Sequence, residues 1–159
     1  MSPPESRLRE LEQRVQLLED RGAIQDLRFR YHVAVNEKAL ESIPDLFTDD
    51  AEVHFEGIGA ASGRSAISNL YAEVVGQSPF IKQFIHNHMI TLEGDVATGL
   101  SYLDARTVRD GESLLVAARF DDRYQRTHQG WKFQSLRLTL YFAAPLSSGW
   151  ADAAVLPAT

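Results

Sequence analysis

A chain of 159 residues, 44% hydrophobic and 24% charged, has the length and apolar content for one domain with its own core. Its net charge of −6, with Lys and Arg scattered among acids, argues against a nucleic-acid or anionic-membrane surface. No cysteine is present, so disulfides, thiolate chemistry and Cys-ligated zinc are excluded.

The N-terminal stretch lacks the basic and apolar regions of a signal peptide, and no apolar run approaches the roughly 20 residues of a membrane span, so a soluble cytoplasmic protein is expected. Ser2-Pro3-Pro4 reads as a helix start. Leu8, Leu11, Val15 and Leu18 then recur at three- and four-residue steps, the pattern of a docking or subunit-contact helix. After Gly22 the stripe restarts at Ile24, Leu27, Tyr31 and Ala34, as a second helix or a bent continuation to about Val35. A short helix over 39–47 is interrupted by Pro44. Val53 and Phe55 alternate with Glu52, His54 and Glu56 in a strand over 49–57, and 63–76 returns to helical spacing.

Beyond Pro79 the chain reads as strands over 83–92, 96–108, 113–126 and 131–142. The turn pairs Gly94-Asp95, Asp110-Gly111 and Gln129-Gly130 separate them and imply antiparallel neighbours. Helices followed by a long meander predict an α+β fold with the helices on one face of the sheet. Residues 1–20 form a helical extension, 21–146 the domain and 147–159 a tail in which Trp150 can pack over an opening.

The sequence carries no GxGxxG, P-loop, HExxH or GxSxG motif. His86 and His88 share a face of a strand but lack an obvious third ligand, so no metal is expected. Tyr31 and His32 on the helix, and Tyr102, Asp104 and Arg106 alternating on one strand, are the remaining polar candidates.

Ala23–Leu27, Asp49–Glu52, Glu56–Gly59, Ser113–Ala118 with Phe120, Gly130–Phe133 and Tyr141-Phe142 fall in one order and spacing. Together they resemble the SnoaL-like branch of the nuclear-transport-factor-2-like superfamily. That branch includes scytalone dehydratase, bile-acid 7α-dehydratase and hexachlorocyclohexane dehydrochlorinase. The resemblance implies a cone-shaped fold, a curved antiparallel sheet wrapped around N-terminal helices and enclosing a pocket.

Eliminating members of that branch use an Asp at the end of the helix and a His on the strand after the third helix. Those positions fall on Asn36 and Gln83, and the position of a pocket arginine falls on Leu136. Neither amide acts as a base near neutral pH. His86 supplies an imidazole only if the register shifts by an odd number, against strand parity.

The same resemblance puts Tyr102, Asp104, Val116, Ala118, Phe120, Leu138 and Leu140 around the pocket, with Tyr31 at one side. In such a chamber desolvation raises the pKa of Asp104, making it a general acid or base, while Tyr31 stabilises an oxyanion, similar to ketosteroid isomerase.

The site so implied is that of a cofactor-independent enzyme of lyase or isomerase type. It would carry out proton transfer, elimination or cyclisation on an apolar polyketide-, steroid- or terpenoid-like substrate. The alternative is a non-catalytic binding protein for a small hydrophobic ligand. Neither reading involves nucleic acid or a membrane. A homo-oligomer, dimer or trimer, is expected through the outer sheet face at Arg137, Thr139 and Tyr141 and through the first helix.

Overall fold

A computed structural model describes residues 3–151. It opens with one unbroken helix, α1 (Pro3–Asn36), where the sequence pattern allows a break at Gly22. A side chain at Gly22 would meet nothing, so the glycine costs about 1 kcal/mol of helix propensity without bending the rod. Ser2 lies outside the described residues. From Asp20 onward α1 packs into the body through Ile24, Leu27, Arg28, Tyr31, Ala34 and Val35, all buried. Asp20 fastens this point of entry. Arg126 grips its carboxylate from both guanidinium ends (2.6 and 2.7 Å) and the Trp131 indole donates to it at 3.0 Å. The Arg126 contact holds the Asp20 carboxyl down at about 2.

Two short 3₁₀ turns, Leu40–Ser42 and Pro44–Leu46, replace the helix expected over 39–47. The Pro44 ring fixes the backbone at the start of the second turn and lacks the N–H that a continuing helix needs. The chain then runs β1 (Phe47–Phe55), β2 (Gly59–Ser62) and α2 (Arg64–Tyr71), which ends in a wide five-residue turn over Ala72–Gly76. The pattern of the sequence misses β2, whose Gly-Ala-Ala-Ser has no alternation to read.

β3 (Ile81–Ile85), β4 (Met89–Glu93), β5 (Val96–Arg109), β6 (Glu112–Thr127) and β7 (Gly130–Pro145) complete the fold. The single strand expected over 83–92 is thus two, broken at His86–His88, and both pieces pair with β5. Asp110 and Gly111, both at positive φ (51° and 79°), make the tight β5–β6 turn that the Asp-Gly pair announces.

The strand order is β2-β1-β7-β6-β5-β3, with β4 also on β5. β1 pairs with β7 in parallel, Val53 opposite Leu136 and Phe55 opposite Leu138, so the sheet is mixed and not the purely antiparallel one expected. The sheet curves around the C-terminal half of α1. Its inner face carries Ala97, Leu103 and Ala105 from β5, Ala118 and Phe120 from β6, and Phe133, Leu136 and Leu138 from β7. Trp150 stacks on Phe142 with centroids 5.7 Å apart and does not join the lining of the interior cavity.

Candidate functional site

Between α1, α2 and the concave sheet lies a cavity of about 600 Å³. Such a volume suits a small organic molecule. Its walls are apolar: Phe55 from β1, Leu70 and Val75 around α2, Leu103 and Ala105 from β5, Val116 and Phe120 from β6, Leu138 and Leu140 from β7. Its polar groups divide in two. Glu73, Gln77, Ser78, Arg109 and Asp110 stand at a rim where most of the side chains are exposed. Tyr31, Tyr71 and Gln83 stand deeper.

Tyr31 comes from the buried stripe of α1 and Tyr71 from the last turn of α2, and both are fully buried. The Tyr71 hydroxyl donates to the Tyr31 hydroxyl at 3.0 Å, which leaves the Tyr31 proton free for the chamber. Burial pushes the Tyr31 phenol up to about 12 and Tyr71 well above its ordinary value. Both therefore stay protonated at neutral pH, as hydrogen-bond donors and not bases.

Asn36 does not enter the chamber. Its amide clamps the backbone of Gln83, accepting from the N–H at 2.7 Å and donating to the C=O at 2.9 Å. The residue at the end of α1 thereby fixes β3 against the helix. Gln83 lines the cavity as the sequence suggests, and so do Val116, Phe120, Leu138 and Leu140. Ala118 and Leu136 are buried in the core but lie outside the lining.

Asp104, Tyr102 and His86 are on the other side of the sheet, and the expectation that they face the pocket is corrected. On β5 the buried residues are Leu103 and Ala105, so Tyr102, Asp104 and Arg106 point outward. There Asp104 pairs with Arg106 at 3.1 Å and His86 at 3.6 Å, with over a third of its side chain exposed. Tyr102 is exposed and lies against Tyr141. A carboxylate on the outer face, beside Arg106 and His86, has no access to a molecule in the chamber.

Beneath Tyr31 and Phe120 lies a layer that sequence reasoning missed. Arg28, fully buried, donates to Asp122, itself only 3% exposed. The guanidinium sits among the rings of Tyr31, Phe120 and Phe133, 4.3–5.0 Å from their centres. The Tyr124 hydroxyl donates to Asp122 at 2.7 Å and pairs with His88 Nε2 at 3.0 Å. Gly99 makes room: a Cβ there would stand 2.8–2.9 Å from Tyr124 and His88. The signal was available, since Arg28 interrupts an apolar helix stripe and Asp122 alternates with Phe120 and Tyr124 on the inward face of β6.

His32 lies beside this layer, edge-on to Phe120 and Tyr31. Burial, reinforced by the charge of Arg28, holds its imidazole down at about 3 and that of His88 down at about 4. Both are neutral in the folded protein, whereas in the unfolded chain they protonate near 6.5. Their contribution to stability is complete above 6.5 and is lost as pH falls from there toward 4 for His88 and toward 3 for His32, an interval in which the unfolded state binds more protons. The slope is at most about 1.4 kcal/mol per pH unit for His32. The urea midpoint is therefore expected to fall steadily from pH 7 to pH 4.5, and His32→Met to flatten that fall. A midpoint that stays level across this interval would contradict the buried neutral imidazoles.

Among the described residues no three His, Asp or Glu side chains converge as a metal site, and no helix is long and apolar enough to cross a membrane.

Comparison with known proteins agrees with this geometry. Gamma-hexachlorocyclohexane dehydrochlorinase of Sphingobium indicum is 29% identical over 136 residues, which cover 82% of this chain and 86% of the relative. The crystal structure of LinA superposes with a TM-score of 0.79 at 27% identity, covering 85% of this chain and 95% of LinA. An NTF2-like protein with a cystatin-like fold from Novosphingobium aromaticivorans gives 0.69 at 27%, covering 84% and 89%. Lyase-type chemistry thus occurs on this scaffold. The model of the SnoaL-like domain matches residues 16–137, and the chain belongs to that family.

Proposed function

We propose that the chain holds a small, mostly apolar molecule bearing a carbonyl or hydroxyl oxygen, of polyketide-, steroid- or terpenoid-like kind, and acts on it as a cofactor-independent lyase or isomerase. The observation that carries this reading is the Tyr31–Tyr71 phenol pair set in an otherwise apolar wall. A substrate oxygen placed against Tyr31 accepts its hydrogen bond, and the bond strengthens as negative charge develops there, while the proton leaving carbon passes to a carboxylate at the rim, Glu73 or Asp110. Tyr71, donating to Tyr31, polarises the phenol further. Asp104 takes no part.

A second reading, a non-catalytic binding protein, is favoured by a specific observation. Among the described residues the chamber is lined by no imidazole, and the carboxylates that line it, Glu73 and Asp110, stand at the rim. On the sequence resemblance, the positions of the acid–base pair of eliminating members fall on Asn36, whose amide is tied to backbone, and on Gln83.

The two readings separate in one experiment. Binding is followed with 2-naphthol fluorescence, and turnover by proton NMR in D₂O with a set of ring ketones and β-hydroxyketones. The lyase or isomerase reading expects binding together with exchange, double-bond migration or loss of water. Val116→Trp, which fills the chamber, should abolish both signals, and Asp104→Asn should leave both within twofold. Binding without turnover selects the binding protein. Failure of every probe to bind, or indifference to Val116→Trp, removes the cavity from the function.

A further inference from the structure

The N-terminal half of α1 projects from the body with its apolar side chains uncovered. Leu8, Leu11, Val15 and Leu18 are 57, 47, 52 and 70% exposed. Their spacing is that of positions a and d of two heptads: Leu8 and Val15 at a, Leu11 and Leu18 at d. Continued at the same period, the seam passes Gly22 and Gln25 to Phe29, which is 51% exposed. The residues that α1 buries in its own body, among them Asp20, Ile24, Leu27 and Tyr31, lie on the opposite side of the helix. The seam therefore faces away from the residues that α1 buries, with Leu18 at the edge of a groove that α1 forms with Ile90, Thr91 and Leu92 of β4.

The flanking charges specify what covers it. Arg7 and Arg14 occupy successive g positions, and Glu12 and Glu19 successive e positions, all four exposed. When two copies lie parallel, each g residue faces the e residue of the following heptad on the other helix. Arg7 then meets Glu12 of the second copy, Arg14 meets its Glu19, and the two-fold axis repeats both pairs. Antiparallel copies would set Arg against Arg and Glu against Glu. Leucine at both d positions, with valine at one a position, suits two strands. We infer that α1 self-associates as a parallel two-stranded coiled coil with a second copy of this chain, placing the two cavities on outer sides of a two-fold dimer. Leu8, Leu11 and Val15 precede the part of the chain matched by the family model, whereas Leu18 and Phe29 lie within it.

The test uses the full chain in sedimentation velocity. Leu11→Glu with Leu18→Glu should raise the dimer dissociation constant at least a hundredfold without altering far-ultraviolet circular dichroism or 2-naphthol binding. Glu12→Arg with Glu19→Arg, and separately Arg7→Glu with Arg14→Glu, should each dissociate alone and associate when mixed. Because the chain has no cysteine, Leu8→Cys reports orientation. It should cross-link to itself on air oxidation, since in an antiparallel pair the two residues 8 sit at opposite ends of the seam. A wild-type chain that remains monomeric would overturn the proposal, as would association that ignores the Leu11 and Leu18 changes. An associated Leu8→Cys sample that does not cross-link would overturn the parallel arrangement.

Discussion

Asp122→Ala is expected to destabilise the fold by about 3–5 kcal/mol, the range for removing one partner of a buried ion pair. Arg28 is wholly enclosed and charged, and its counter-charge is Asp122. Burial by itself would lower the Arg28 pKa, but the adjoining carboxylate more than offsets this, so the guanidinium does not escape the loss by giving up its proton. The rings of Tyr31, Phe120 and Phe133 attract the cation but each contributes less than a carboxylate. Tyr124 loses its acceptor in the same step. Several buried polar atoms, including Arg28 Nε and Nη1 and the Ser101 hydroxyl, already have no hydrogen-bond partner among the described residues, so there is little spare pairing to absorb the change. The double variant Arg28→Leu/Asp122→Leu should recover most of the loss, because two apolar side chains leave no stranded charge. Urea unfolding at neutral pH reads both. A single variant that loses less than about 1 kcal/mol would mean the pair does not hold this layer together.

Tyr31→Phe is expected to lower turnover of an oxygen-bearing substrate at least a hundredfold, as for loss of one donor to a developing oxyanion. The ring stays, so the packing of Phe120 and Phe133 on it is kept. The only group lost is the hydroxyl that faces the chamber. Tyr71 then has a buried donor without its partner, at a cost of about 1–3 kcal/mol in stability. Tyr71→Phe removes the bond behind Tyr31 while leaving the Tyr31 hydroxyl in place, so its effect on turnover should be the smaller of the two. An apolar analogue without the oxygen separates recognition from folding: its affinity should stay within threefold in Tyr31→Phe. Equal losses for both ligands would mean that the hydroxyl shapes the cavity and does not recognise oxygen.

The long strands and the buried half of α1 were legible because their side-chain periods are regular and their turns carry Asp-Gly and Gly-Asp signals. The face of β5 was not. Alternation puts Tyr102, Asp104 and Arg106 together, but it does not say which side is inside, and that depends on register with β6. Asp104 lies opposite Ala117 and therefore shares its side of the sheet with Ala117, not with the cavity residue Val116. The resemblance placed Asp104 at a pocket position, and a one-residue offset along a strand is enough to carry a side chain to the opposite face. Tyr31 was indicated by helix periodicity and by the family resemblance, whereas Gln83, Val116, Phe120, Leu138 and Leu140 were indicated by the resemblance alone. Tyr71 was missed within a helix read for its aliphatic residues. The Arg28–Asp122 pair links residues 94 positions apart, a contact that local pattern does not encode.

The parallel pairing of β1 with β7 sets the order in which the molecule can assemble. Phe47 waits for Phe133 and Val53 for Leu136, while Asp20 waits for Arg126 and Trp131. During synthesis the amino-terminal helix and first strand emerge long before their partners, and the β5–β6–β7 meander, whose contacts are local, condenses first. Closure of the chamber is then a late event that requires nearly the whole chain to have left the ribosome. A nascent chain halted before Gly130 should remain open to protease at β1 even though β5 and β6 have already paired.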